Sequence, residues 1–148
     1  MNENGQAQHA VIADEDQSEA FRKGLARRNR IIGPAGAQRR RMLQALHPDL
    51  EKMLIEHCWG TVLERPGLSE RERELITAAV LLTLGRDREA TTHLHGALNV
   101  GITKDELVEL LIQLGVYAGF PATMTGAALL ADVLQARGEL TLPDEPPA

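Results

Sequence analysis

Cysteine and aromatic residues are scarce in this chain of 148 residues. Cys58 is the only cysteine, so no internal disulfide can form, and we expect a reducing, cytoplasmic location. Aromatic side chains make up 3% of the sequence and the net charge is −5. Few rings to stack on bases and an acidic balance both argue against a nucleic-acid partner. A core of Leu, Ala, Ile and Val favours packed helices over a sheet.

One segment without charges resembles a membrane span. Residues 110–130 contain no charged side chain and are long enough to cross a bilayer. The sequence Gly119-Phe120-Pro121 interrupts this segment, and a helix normally ends at or before the residue that precedes a proline. We therefore predict two helices that meet at a buried turn, and no membrane partner.

Helix-start and helix-stop signals divide the chain into one all-α domain between two tails. Residues 1–17 are polar and aperiodic, which predicts a disordered N-terminal tail. Residues 18–138 form the predicted helical domain, and residues 139–148, rich in proline and acids, form a predicted flexible tail. Helices are predicted over about 18–30, from 48 to the break at 66–67, and over 70–84, 87–100, 103–118 and 121–136.

The predicted helix at 70–84 is the expected centre of the core. Ser69 and Glu72 have the spacing of a capping box, which predicts a helix start at about Glu70. Residues 75–84 are nearly all apolar, so we expect this helix to be buried on most sides.

Glu89 and His93 are the pair whose spacing alone suggests chemistry. They lie four residues apart on the helix predicted for 87–100, which places both side chains on one face. A carboxylate can fix the tautomer of an imidazole that transfers protons near neutral pH. The alternative is a surface ion pair that stabilises the helix by a few tenths of a kcal/mol.

His95 makes a His-Leu-His sequence with His93, but we predict no metal site there. Residues two apart on a helix point about 200° away from each other, so both rings cannot reach one ion. Glu89 and His93 supply two ligands, fewer than zinc usually takes.

Two further features have alternative explanations. Trp59, the only tryptophan, is either a packing or interface residue or a platform for a substrate. Arginines are concentrated between residues 27 and 41. They either lie on solvated helix faces or present a guanidinium to an anionic substrate.

The chain contains the stretches WGTVLERPGLSERERELITAAVLLTLGR and HLHGALNVGITKDELVELLIQLGVYAGFPA. These stretches resemble the carboxymuconolactone decarboxylase family, within the alkylhydroperoxidase D-like superfamily, and the resemblance covers roughly residues 21–134. It implies an all-α fold of about six helices, assembly as a trimer or hexamer, and an active site near the subunit interface.

The superfamily's peroxidase branch uses a glutamate, a CxxC pair and a histidine. The resemblance places Glu74 on the glutamate and His93 on the histidine, but Arg86 and Glu89 on the two cysteines. Thiol peroxidase activity is therefore disfavoured, because disulfide exchange needs a thiolate and a resolving partner. In the decarboxylase branch the resemblance assigns the catalytic glutamate and histidine to Glu89 and His93.

The sequence departs from the decarboxylase pattern at two places. His95 stands where the decarboxylases usually have arginine, and Thr123-Met124-Thr125 replaces a stretch that often includes a histidine. A histidine ring cannot form the two parallel hydrogen bonds with which an arginine guanidinium binds a carboxylate. A related reaction on a different substrate is compatible with these differences.

Together these features predict a cofactor-free, carboxy-lyase-like enzyme acting on a small carboxylated lactone-like or cyclic metabolite. His93 is the expected acid/base, Glu89 its orienting carboxylate, and Glu74 a second carboxylate, unless its place near the helix start leaves it solvated. His95, Tyr117 and Trp59 are candidate substrate contacts. The alternative from another class is a non-catalytic helical oligomer for assembly or ligand binding.

Overall fold

A computed structural model describes residues 17–143. All regular secondary structure in this range is helical, which confirms the predicted all-α class. The described chain divides into two compact units, the first ending at Glu70 and the second beginning at Arg71. The predicted N-terminal tail, apart from Gln17, and the last five residues lie outside the described residues. The domain limits proposed from the sequence stay a prediction.

The first unit contains three α-helices and two helical segments of other types. The hydroxyl of Ser18 accepts a hydrogen bond from the Phe21 amide at the start of the first helix. Pro48 takes the first position of the third helix, where a missing N–H costs nothing. The elements are α1 (Glu19–Ile32), a 3₁₀ turn (Gly33–Gly36), α2 (Ala37–Leu46), α3 (Pro48–Met53) and a π-helix (Leu54–Val62).

The π-helix corrects the prediction of one α-helix from Pro48 to Pro66. After Met53 the backbone amides bond to carbonyls five residues earlier in the chain, instead of four, as in the bond from the Leu63 amide to the Cys58 carbonyl. The π-helix packs backbone to backbone against α1. A Cβ added at Gly60 would lie 2.1 Å from the Ala20 carbonyl oxygen, and one added at Gly24 would lie 2.5 Å from that of Ile55.

The second unit is built from the four remaining helices, except that Glu70, the first residue of α4, belongs to the first unit. Their bounds are α4 (Glu70–Thr83), α5 (Asp87–Asn99), α6 (Lys104–Ala118) and α7 (Phe120–Ala136). Thr103 and Glu106 form both hydrogen bonds of a capping box at the start of α6, as predicted. Gly119 separates α6 from α7 with a φ of +86°, a conformation that favours glycine, so the predicted break is confirmed. The prediction that the turn is buried is wrong, because Phe120 is 70% exposed.

The core of the second unit is aliphatic. Its fully buried members come from all four helices and include Ala78, Ala90, Leu94, Leu107 and Val133. Leu140, in the irregular segment after α7, packs against this core as well. No helix within residues 17–143 is long and apolar enough to cross a membrane.

Helix α4 is less buried than its composition predicts. One stripe, Glu74, Ala78 and Leu82, is buried at four-residue spacing, as expected for the inward face of a helix. On other faces Ile76 is 51% exposed and Val80 49% exposed. The prediction that α4 is buried on most sides is therefore wrong for the single chain.

Candidate active site

Glu74 of α4 and His93 of α5 form a largely buried polar pair in the second unit. The Nδ1 atom of His93 lies 2.9 Å from Oε2 of Glu74. The Glu74 side chain is 2% exposed and the His93 side chain 20% exposed. The pair therefore combines a buried carboxylate with an imidazole that solvent can still reach.

The placement of both residues follows from the buried faces of their helices. Glu74 precedes Ala78 by one turn on the inward stripe of α4. His93 lies between Ala90 and Ala97 along α5, and both alanines are fully buried. These small side chains let the ring lie close to the helix surface and reach the carboxylate.

The burial of Glu74 rules out the solvated placement considered from the sequence. A carboxylate removed from water costs several kcal/mol unless hydrogen bonds or an opposite charge compensate it. His93 supplies that partner at hydrogen-bonding distance. The structure therefore assigns Glu74 a specific polar partner inside the helical packing.

The contact also sets the tautomer of the ring. An ionised carboxylate can only accept a hydrogen bond, so with Glu74 ionised the contact favours the tautomer of His93 that carries a proton on Nδ1. An imidazole held in this way can act as a general acid when doubly protonated, and as a general base when neutral.

Glu89 lies one turn before His93 on α5 and is half-buried. The sequence spacing predicts it as the carboxylate that orients the ring, whereas the structure places Glu74 against Nδ1. Sequence spacing could not find this contact, because nineteen residues separate the two partners. The only local signal was the position of Glu74 in register with the buried Ala78 and Leu82.

His95 lies in a different environment from His93. Burial and, to a lesser degree, the positive charge of Arg137 lower the pKa of His95. Arg137 donates a hydrogen bond of 2.9 Å to Oδ1 of Asn99, one turn further along α5. His95 thus lies within the electrostatic reach of the end of α7, and its role as a substrate contact stays a prediction.

Tyr117 and Trp59 differ most in exposure among the candidate substrate contacts. Tyr117, near the end of α6, is 82% exposed. Trp59 is buried in the π-helix of the first unit, and its carbonyl accepts a hydrogen bond of 3.2 Å from Arg27. The burial of Trp59 fits the packing role, while the predicted contact of each ring with substrate stays a prediction.

Other reactive groups are sparse. The part of the chain that the structure describes contains no group of three His, Cys, Asp or Glu side chains that could hold a metal ion. Cys58 is a free, half-buried thiol. The Glu74–His93 pair is thus the arrangement in the second unit from which acid/base chemistry follows most directly.

Comparisons with known proteins match the region that contains this pair. The model of the carboxymuconolactone decarboxylase family matches residues 48–132. The 4-carboxymuconolactone decarboxylase of Acinetobacter baylyi is 35% identical over 124 residues, which cover 83% of this chain and 92% of that protein. The nitrosuccinic acid decarboxylase of Metarhizium robertsii is 31% identical over 111 residues, 74% of this chain and 77% of that protein.

Proposed function

Because the chain belongs to the carboxymuconolactone decarboxylase family, we propose that it removes CO₂ from a small carboxylated metabolite, lactone-like or cyclic, by acid/base chemistry without a cofactor. A decarboxylase-type enzyme is the activity that its relatives support, since two of them are named for decarboxylation of carboxylic acids. The contact of 2.9 Å between His93 and the buried Glu74 carries the proposal.

The proposed reaction begins with the substrate carboxylate. The bond between this group and its carbon breaks, CO₂ leaves, and the electron pair moves into a conjugated carbonyl to give a dienolate. The doubly protonated ring of His93 then donates the Nε2 proton to carbon, which completes the product. The neutral ring regains a proton from water through its solvent-exposed side.

Glu74 supports this cycle as a positioning residue. Its carboxylate accepts the Nδ1 proton in both states of the ring, and Nε2 is the nitrogen proposed to transfer the proton. Its negative charge also stabilises the imidazolium form, and low dielectric surroundings strengthen that attraction. Glu89, one turn before His93, is the proposed second carboxylate, and His95, Tyr117 and Trp59 are the proposed substrate contacts.

The proposed enzyme acts as a trimer or hexamer in the cytoplasm. Large apolar side chains on α4 and α6 support an oligomer, because Ile76, Val80, Ile112 and Val116 are each about half or more exposed in the single chain. Exposed apolar surface of this kind marks interaction sites in soluble proteins. A lone, unpaired Cys58 is compatible with a reducing compartment.

Kinetics on three variants test the proposal after a screen of carboxylated lactones and related cyclic acids has found a substrate. We expect His93→Ala to lower kcat by about 10²- to 10⁴-fold, the usual contribution of a positioned acid or base. Glu74→Gln should lower kcat with little change in KM, because the amide holds the ring but carries no charge. Glu89→Gln should lower kcat less than Glu74→Gln does.

The control is His57→Ala, which removes an exposed histidine from the π-helix of the first unit. It should leave kcat and KM unchanged. Circular dichroism melts should show that the three test variants and this control are folded. If folded His93→Ala keeps the wild-type kcat, the acid/base assignment is wrong. If no carboxylated compound is turned over, the alternative of a non-catalytic helical oligomer replaces the proposed decarboxylase.

A further inference from the structure

A small cavity in the first unit is lined by positive charge. Its volume is about 220 Å³, and it lies between α1 and α2 beside the 3₁₀ turn. Three arginines, Arg28, Arg40 and Arg41, line it together with Asn29 and Gln44. No carboxylate is among the described residues that line it.

Arg28 is a buried cation without a carboxylate partner in the described chain. It is 4% exposed, and its Nη2 donates a hydrogen bond of 2.8 Å to the carbonyl of Gly36. A guanidinium has five N–H donors, so one carbonyl satisfies only part of its capacity. Burial of a charge is costly without compensation, so a negative charge close to Arg28 would stabilise it.

The electrostatic surroundings of Arg28 agree with this reading. Burial lowers the pKa of Arg28, and repulsion from Arg40 and, more weakly, Arg39 adds to that effect, while Glu51 opposes it. The surroundings as a whole thus disfavour the positive charge. An anion bound in the cavity would reverse this balance, because opposite charges at close range favour the charged form.

The other two arginines leave the cavity with excess positive charge. Arg40 forms a close ion pair with the buried carboxylate of Glu51, which compensates one of the three charges. Arg41 is exposed and makes no ion pair with any residue in the range 17–143. Arg41, and Arg28 with only the partial compensation that Glu51 provides, therefore leave the cavity with excess positive charge.

The 3₁₀ turn holds Arg28 in position. A Cβ added at Gly36 would lie 2.5 Å from Nη2 of Arg28 and 2.8 Å from a methyl group of Ile32. Only a glycine lets the guanidinium approach the turn this closely. The donor group is thus held in place before any ligand arrives, which reduces the entropy lost on binding.

We propose that this cavity binds a small oxyanion with two negative charges, such as a phosphate group or a dicarboxylate. Guanidinium groups match the paired oxygens of both chemistries with two parallel hydrogen bonds. The volume is below the roughly 300–1,000 Å³ typical of sites for drug-sized ligands, which favours a compact anion over a nucleotide. The proposed binding uses neither Glu74 nor His93 and so does not rest on the proposed decarboxylase reaction.

Calorimetric titration of the full-length protein with inorganic phosphate, sulfate and succinate tests the proposal, with chloride at matched ionic strength as the reference. We expect saturable binding of the three dianions with one site per chain. Arg41→Gln should weaken this binding about tenfold or more, the usual effect of removing a hydrogen bond between charged groups. Arg41 is exposed, so the variant should fold like the wild type.

The matched control is Arg88→Gln, which removes one exposed arginine from α5 of the second unit. It should leave the dissociation constants unchanged within about twofold. A general charge effect would instead weaken anion binding equally in the Arg41→Gln and Arg88→Gln variants. Tighter binding of phosphate than succinate assigns a phosphate group, and the reverse assigns a dicarboxylate. Absence of saturable binding to the wild type, or equal weakening in the two variants, would overturn the proposal.

Discussion

Glu70 binds two arginines of α1 at once. Arg30 approaches its carboxylate with two hydrogen bonds of 2.6 Å, and Nε of Arg27 lies 3.1 Å away. These bonds, Arg30 first, lower the pKa of Glu70 from 4.5 to about 2, although partial burial opposes them. The folded protein therefore holds this carboxylate ionised under conditions in which the unfolded chain protonates it.

The lowered pKa gives a stability contribution with a defined pH window. It is fully present above about pH 4.5 and is lost as the pH falls towards 2. The Glu70 side chain is 32% exposed, so solvent screening reduces its size to about 1 kcal/mol. We expect Glu70→Gln to lower the free energy of unfolding by about that amount at pH 7, and by much less near pH 2.5.

Urea unfolding at the two pH values measures this difference. Glu109→Gln is the control, because Glu109 is exposed on α6 and forms no ion pair with the described residues. It should show no such dependence on pH. An equal loss of stability for Glu70→Gln at both pH values would mean that packing, and not charge, is responsible.

Residue chemistry was only partly predictable from the sequence. The spacing of Glu89 and His93 predicts that both side chains lie on one face of α5, since contacts between residues four apart follow from helix geometry alone. The carboxylate at Nδ1 comes from Glu74 on another helix. Its contact depends on how α4 and α5 pack, which no local spacing encodes. Only the family resemblance named Glu74 in advance.

Two glycines determine how α1 and the π-helix cross. Each added Cβ would enter the opposing backbone, at 2.1 Å for Gly60 and 2.5 Å for Gly24. Real Cβ atoms do not approach backbone oxygens this closely, so the two elements would have to separate. The crossing therefore depends on the absence of side chains at these two positions.

We expect Gly60→Ala to destabilise the protein by about 1–3 kcal/mol, the usual cost of overpacking. Thermal melts followed by circular dichroism measure the effect. Gly67→Ala is the matched control, because a Cβ at Gly67 meets nothing within 4 Å. The control should be neutral or slightly stabilising through the unfolded state. If both variants melt at the same temperature, the close crossing contributes little to stability.

Helix ends were easier to predict than helix types. Local signals fix the ends, because the Thr103–Glu106 capping box and the glycine at 119 act within one turn of chain. The π-helix from Leu54 to Val62 gave no such signal. Its apolar spacing matches that of an α-helix, and its wider turns accompany the tight crossing with α1. The helix α2 was also missed, since none of its residues is buried.

At the scale of the whole molecule, the exposed apolar faces of α4 and α6 argue for assembly. Ile112 is 57% exposed and Val116 74% exposed, one turn apart on α6. Scattered apolar side chains are common on protein surfaces, but a row at four-residue spacing on a helix is the pattern of a packing face. The all-α class itself followed from composition, because few aromatic side chains and many Leu and Ala favour helices.

Light scattering at micromolar concentration should give a mass of three or six chains. Ile112→Glu should lower that mass without loss of helical signal, because a charge on the proposed contact face opposes association. Glu109→Gln, on the same helix, should keep the wild-type mass. A monomer mass for the wild-type protein would contradict the proposal, and the exposed row would then need another explanation.

Glu74 has a practical consequence for attempts to make this protein more robust. Its neighbours on the inward stripe of α4 are Ala78 and Leu82, so a search for better core packing would favour an aliphatic side chain at position 74. Such a change would remove the cost of a buried carboxylate. It would also leave His93 without the group that fixes its tautomer. Under the proposed mechanism, engineering for heat tolerance should therefore hold position 74 constant and change the surface, since gains in stability at active-site positions commonly cost activity.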